Sequence, residues 1–461
     1  MTSWTIRCGR ALALAGISLA AHATGLVDVW HLALRNAPEI QAATADQRAG
    51  AARREQGDAL WRPQVSLGAS AGLGGASSDS SGASFSAPGF GAFNGADFGT
   101  SVRDGTATTW ALQARKPLLN PALDAQSRQL GLSAEAADAG WSQAQQDLIL
   151  RAAQSYFDLA LAQNRLALLQ QQQAASQRTL QEARDRFALG DLPVTDLREA
   201  QAQSQALEVQ VLQARDALEI ARAALQDLAG SATVDWQAKL PAQGLPETTP
   251  GLDAPLAQWL ERSDAASTEI AVRRIQWQVA QQESARQSAQ NAPTLDLIVQ
   301  ANGQSLRGDA DLGSATNSAR QTMLGIALTV PLYTGGYRDA RLHEALAMEE
   351  RSRAEYERTR QRVHAQLRAD WLLVHTGAQR EQALADALLA SQARRDATVL
   401  GKSVGDRSTL DVLHAESDLG SAQLLALESR VRLAMAWLRM QANAGQLAEP
   451  ALQQLDALMP P

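Results

Sequence analysis

Two acidic motifs recur at matched places in the chain. Gly190-Asp191 is followed by Asp196, and Gly405-Asp406 by Asp411, 215 residues further on. A carboxylate at such a point can attract cations and steer charged solutes. His414, just beyond Asp411, adds a group that titrates near neutrality. The plainer reading is that Asp411 caps or solvates a helix start and that His414 lies on a solvated face. Bond-making chemistry is less well provided for. His343-Glu344 opens a helical zinc-protease pattern, but Ala347 stands where the second histidine is required. His31, His364 and His375 have no cysteine partners and no close metal-ligand spacing. No stretch marks a Ser/His/Asp triad. An enzyme, a metal centre and a cofactor are not expected.

The elements that place these motifs are long helices. Leu148, Ala152, Ser155, Leu159, Ala162, Leu166, Leu169, Gln173, Ser176, Leu180, Ala183 and Phe187 alternate spacings of four and three. Leu197 to Leu228 keeps that rhythm, as does Leu410 to Leu438. Spacing that averages 3.5 residues predicts coiled-coil packing, here antiparallel hairpins closed by short turns. Gly190 can supply the left-handed residue that ends one helix, and Pro193 is tolerated where the next begins. A single helix over 122–188 would run for roughly 100 Å at about 1.5 Å per residue. Helices over 194–229 and 252–290 would each span roughly half of that.

The pattern is duplicated. Pro117-Leu118-Leu119-Asn120 answers Pro331-Leu332-Tyr333-Thr334, 214 residues on. Each half reads helix, strand, loop, strand, long helix, turn, helix. The expected organisation is a signal peptide over 1–23, a first repeat over 24–230, a mid-height linker over 231–251, a second repeat over 252–446 and a C-terminal tail over 447–461. Strands are expected near 63–74, 106–117, 293–302 and 321–331, and tip turns near 190–193 and 403–408. The strands alternate: Val65, Leu67, Ala69, Ala71 and Leu73 oppose Ser66, Gly68, Ser70 and Gly72. Strands of about 9–11 residues, apolar on one face and polar or small on the other, suit an outer-membrane barrel wall. The Gly/Ser-rich stretch from Gly74 to Gly105 reads as an exposed loop, with a shorter counterpart from Gly303 to Ala319.

Composition agrees with an exported, helix-rich chain. Aromatic residues make up only 4% of the 461, too few for a thick globular core. Arg7 and Arg10, the apolar "ALALAGISLA" and Ala21-His22-Ala23 read as a secretory signal with its cleavage site. Cleavage there removes Cys8, the chain's one cysteine, which precedes the apolar stretch and is badly placed for lipidation. The net charge of −7 argues against a nucleic-acid partner. No apolar run is long enough for a transmembrane helix.

Four strands, two helical hairpins, the duplication, the Pro331-Leu332-Tyr333-x-Gly335-Gly336 turn, the Gly-x5-Asp tips and the early "ALRNAPEI" at Ala33–Ile40 together resemble TolC-type outer-membrane factors. The resemblance covers essentially the whole mature chain. It implies a mainly α fold with a β-barrel part. Each protomer would give four transmembrane strands to a twelve-stranded barrel shared by a homotrimer, continued by a periplasmic α-helical barrel. It implies an outer-membrane location, contact with outer-membrane lipid, and docking to a periplasmic adaptor and an inner-membrane ABC or proton-driven transporter. The function implied is an exit duct for polypeptides or small molecules.

The resemblance also assigns roles at the tips. Thr195 and Asp196 match a pair that restrains the neighbouring hairpin, and Arg407 matches the arginine that meets it. Asp411 matches the first of two aspartates ringing the entrance; the second is His414 here. Lys402 stands in for a restraining tyrosine, and a Lys402–Asp196 ion pair is the expected substitute. Gly190, Asp191, Leu192, Gly405 and Asp406 would face the adaptor. The rival architecture is a periplasmic coiled-coil scaffold or adaptor without a pore. The missing lipidation cysteine leans toward polypeptide export.

Overall fold

The computed structural model describes residues 25–89, 91–230, 236–246, 249, 253–310 and 313–459. The expected signal peptide and part of the expected linker lie outside them. The chain divides into two compact units. One comprises the chain up to Ala42, Ser142–Ser267 and Val363 onward; the other comprises Ala43–Trp141 and Thr268–Arg362.

Each repeat opens with a short helix and a longer one: α1 (Leu26–Asn36) and α2 (Pro38–Ala59) in the first, α5 (Leu256–Ala266) and α6 (Thr268–Ala289) in the second. The strands are β1 (Gln64–Ala87), β2 (Gly91–Leu119), β3 (Thr294–Ala310) and β4 (Gly313–Thr329). The first hairpin is α3 (Pro121–Ala188) and α4 (Val194–Ala229). Its counterpart is α7 (Tyr337–His375), α8 (Gly377–Ser403) and α9 (Thr409–Asn443), followed by α10 (Glu449–Asp456).

The structure departs from the expected elements in the helices, where the long helix expected before the second tip is interrupted at Thr376 between α7 and α8, and in the loops. The single helix expected over 252–290 is broken at Ser267, whose backbone turns extended at ψ 122°. The first repeat breaks likewise at Ala37, because Pro38 excludes helical geometry from the residue before it. No proline explains the second break, which falls where the turn at Gly445 packs on the carbonyl of Ala266. The stretch read as a loop from Gly74 to Gly105 instead prolongs β1 and β2, with register shifts near Gly74, Ser80 and Ala83. Most of Gly303–Ala319 likewise continues β3 and β4. A ladder is made by backbone N–H and C=O groups, which Gly and Ser supply as well as any residue.

In the unit holding the sheet, the strands run antiparallel in the order β1-β2-β3-β4. Val65, Ala114, Val299 and Leu324 share one row, and Leu67, Leu112, Ala301 and Thr322 the next. Directly paired residues point to the same face, so the alternating apolar residues of all four strands form one face, while Ile298 and Met323 lie on the other. That face is open in the chain, with Leu67 and Leu324 over 70% exposed (71% and 72%). Among the described residues β1 and β4 have no partner on their outer edges. Helix α2 lies against α3, where Gly50 lets Ala137 approach and Asp138 accepts from Gln47 and Arg54. These bonds hold the Asp138 carboxyl below its ordinary range, the Arg54 bond first.

In the other unit, the core gathers Trp236, Trp259, Trp437, Tyr156, Phe157 and Leu225, all essentially buried. The Tyr156 hydroxyl accepts the Lys239 N–H at 3.0 Å, and burial pushes its phenol up to about 12. Toward the first tip the core thins to two small clusters. Leu169 packs with Leu207, Val211 and Ala214, and Leu180 and Ala183 pack with Ala200. These are the positions spaced by threes and fours, each larger one contributing about 1.5–3 kcal/mol on burial.

Candidate functional site

Both hairpins turn by one mechanism. At the first tip Gly190 has φ +81° and its N–H donates to the Phe187 carbonyl at 3.0 Å. The Asp191 N–H reaches back to the Arg186 carbonyl at 2.9 Å. At the second tip Gly405 has φ +84°, its N–H meets the Lys402 carbonyl at 3.1 Å, and the Asp406 N–H meets Gly401 at 2.9 Å. These are two Schellman motifs, which satisfy the last carbonyls of α3 and α8 and use glycine for its freedom at positive φ.

The acidic residues then fall at one place in the following helix. Counting from Pro193 and Ser408, the residues before α4 and α9, Asp196 and Asp411 are each the third helical residue. A carboxylate there meets the free N–H groups and positive end of the helix. The repeated Gly-x5-Asp spacing therefore joins a left-handed helix stop to a first-turn acid.

The two tips differ in how the acid is used. Asp411 and Ser408 form a reciprocal capping box. The Asp411 carboxylate accepts from the Ser408 N–H at 2.8 Å and the Ser408 hydroxyl at 2.9 Å, while the Asp411 N–H donates to that hydroxyl at 3.1 Å. The backbone bond, then the hydroxyl bond, hold the carboxyl below its ordinary range, with smaller help from Arg407 and His414. Pro193 has neither N–H nor hydroxyl to offer Asp196, which accepts from its neighbour Thr195 at 3.1 Å. The plainer reading of Asp411 as a helix cap thus describes what it does within the chain.

The structure brings Asp411, Arg407 and His414 into one electrostatic neighbourhood. It does not bring Lys402 to Asp196. The Lys402 ammonium donates to Glu182 on α3 at 2.9 Å, so the expected Lys402–Asp196 pair is replaced within the chain by Lys402–Glu182. Arg407 folds its stem over Gly401. Asp191, Gly405 and Asp406 are exposed, whereas Leu192 is partly buried on the small cluster of Leu180, Ala183 and Ala200.

Four residues of this region escaped the sequence reading. Ser408 was legible, since Ser-x-x-Asp before a helix is the capping-box pattern. Glu182 was not, because its partner lies 220 residues away. Leu189 and Val404 occupy equivalent places, one residue before each tip glycine, and are 77% and 74% exposed. They give both tips an apolar point beside the turn.

The family model described as "Outer membrane efflux protein" matches residues 29–231 and 259–446. The proteases secretion protein PrtF of Dickeya chrysanthemi is 31% identical over 447 residues, 97% of this chain and 93% of that protein. The alkaline protease secretion protein AprF of Pseudomonas aeruginosa is 27% identical over 95% of this chain and 88% of its own length. Outer membrane protein TolC of Escherichia coli is 24% identical over 96% of this chain and 87% of its own. Among solved structures, the outer membrane protein VceC of Vibrio cholerae superposes with a TM-score of 0.72 at 18% identity, covering 91% of this chain and 96% of that one. CusC gives 0.70 at 18% identity, covering 91% and 92%.

Proposed function

This chain belongs to the outer membrane efflux protein family, and on that premise we propose that it is the exit duct of a type I secretion machine whose cargo is a polypeptide. It is an outer-membrane channel protein with a large periplasmic helical part, of a family of channels rather than enzymes. The pore-free scaffold is accordingly set aside. Channels of the TolC type are trimeric and work within tripartite export systems. The partners we assign here are two further copies of the chain, a periplasmic adaptor and an inner-membrane ABC transporter.

One observation carries the choice of cargo. The relatives named for protease secretion match this chain over nearly its whole length, at 31% and 27% identity. Deleting the gene in its host should leave a normally secreted polypeptide inside the cell, and the intact gene should restore its export. An unchanged set of secreted proteins together with new sensitivity to small toxic compounds would overturn this reading in favour of drug efflux.

The helix tips are the proposed periplasmic gate. In a trimer, Asp411 and His414 would face the entrance, while Thr195, Asp196 and Arg407 would hold adjacent hairpins together. Lys402 would brace the two hairpins of one chain through Glu182. Gly190, Asp191, Gly405 and Asp406, with Leu189 and Val404 beside them, are the surface proposed to meet the adaptor. The open outer edges of β1 and β4 support a barrel shared between chains, since an exposed strand edge seeks a partner. Fractionation with the outer membrane and a heat-sensitive trimer on gels are the expected results. A monomer that needs no detergent would refute the shared barrel.

A further inference from the structure

The face of the sheet opposite the apolar one is almost free of net charge. The register places Gln113 beside Gln300, Thr109 beside Gln304, and Asn302 beside Gln321 on that face. Lys116 is paired with Leu297, Arg320 with Gly303 and Arg307 with Thr106, all in rows of the apolar face. From Gly105 to Pro117 of β2, and in the residues registered with them on the other strands, the charged residues on the polar face are Arg115 and Asp296.

Those two cancel each other. The Arg115 guanidinium donates to Asp296 Oδ2 at 2.6 Å, from β2 to β3 at the end of the sheet nearer the helices. The Asp296 side chain is 5% exposed and that of Arg115 51%. Among the described residues Asp296 Oδ1 has no hydrogen-bond partner. Register neighbours offer no second donor: Pro117 lacks an N–H, and Ala327 has no polar side chain. Among the described residues Arg115 is the one ion-pair partner of this buried carboxylate, and a buried charge without its partner is strongly unfavourable.

We infer that the Arg115–Asp296 pair keeps this stretch of the barrel's inner wall electrically neutral, so that polypeptide segments of either charge meet no electrostatic barrier there. The inference rests on the channel reading, in which the polar face lines the lumen. A fixed charge repeated around one axis between low-dielectric walls focuses potential along the pore. Uncharged amides and hydroxyls do not, and water readily replaces their hydrogen bonds with a passing chain. Discrimination by charge is thereby left to the rest of the duct, the helix tips included.

The experiment uses the full-length protein in planar bilayers, with a potassium chloride gradient at low ionic strength, where the Debye length is about 10 Å at 0.1 M. Asp296→Asn frees Arg115 in each copy and should shift the reversal potential toward chloride. It should also lengthen block by oligoglutamate, but not by oligolysine, added from the barrel side. The double variant Arg115→Gln/Asp296→Asn removes both charges and should return the wild-type values. It also controls for folding, because no buried charge is left. Pores of ordinary conductance whose reversal potential does not move in Asp296→Asn would overturn the inference alone. Absence of any pore from the wild-type protein would overturn the channel reading and the inference with it.

Discussion

The carboxylate of Asp411 takes both the backbone N–H and the hydroxyl of Ser408, and returns its own N–H to that hydroxyl. The acid proposed for the gate is therefore first a helix cap. The integrity of the start of α9 and the charge presented at the entrance depend on the same side chain.

Ser408→Ala separates these roles, since it removes the hydroxyl and keeps the carboxylate. Loss of such a cap costs about 1 kcal/mol. We expect faster amide exchange over 409–412 with cation selectivity retained. Asp411→Ala should fray the same turn and also weaken both cation selectivity and block by divalent ions in single-channel recordings. Unchanged selectivity and block in Asp411→Ala would remove the entrance-ring reading and leave the cap.

The cap also has a pH dependence of known sign. The Asp411 carboxyl is held below its ordinary range by its hydrogen bonds with Ser408. Its contribution is therefore complete above the unfolded value of about 3.9 and is lost as pH falls through the lower folded value. Exchange protection at the start of α9 should persist to mildly acidic pH and fail only below the usual carboxylate range. Loss near neutrality would implicate another group.

Gly190 and Gly405 sit at φ +81° and +84° with open space where a Cβ would lie. Alanine at either site costs only backbone strain, about 1–2 kcal/mol, whereas asparagine, which tolerates this region, should cost less. Thermal unfolding of Gly405→Ala and Gly405→Asn tests the order. Equal losses would mean that bulk at the tip, rather than φ, is what matters.

The Lys402–Glu182 pair is solvent-exposed on the Glu182 side and worth only about 0–1 kcal/mol. Glu182→Gln should leave unfolding nearly unchanged while reducing the salt dependence of gate opening. The exchanged pair Glu182→Lys/Lys402→Glu should restore that dependence. A salt response identical in all variants would show that the pair does not brace the hairpins.

A deeper pair behaves differently. The Asp370 side chain is 3% exposed and is held by Arg439 at 2.8 Å and by Gln366 at 3.0 Å. Arg439→Ala strands a buried carboxylate and should cost about 3–5 kcal/mol, read as a lower unfolding temperature. Asp370→Asn/Arg439→Met should recover much of the loss.

The sequence by itself determined the features that depend on near neighbours. Spacing by threes and fours placed Leu169, Leu180, Ala183, Leu207 and Val211 in the hairpin seam, because side chains that far apart share one helix face. Alternation determined which residues share a sheet face, because the pleat turns successive side chains to opposite sides. Gly190 and Gly405 announced their turns through local backbone freedom. The tertiary structure decided what depends on distant surfaces meeting. It gave Lys402 to Glu182 rather than Asp196 and paired Arg115 with Asp296 across two strands. It also broke the helix at Ser267 against Gly445, and carried β1 and β2 through a Gly/Ser stretch whose side chains carry no strand signal. Periodicity records a residue's neighbours along its own element; which partner lies opposite is settled only when the elements pack.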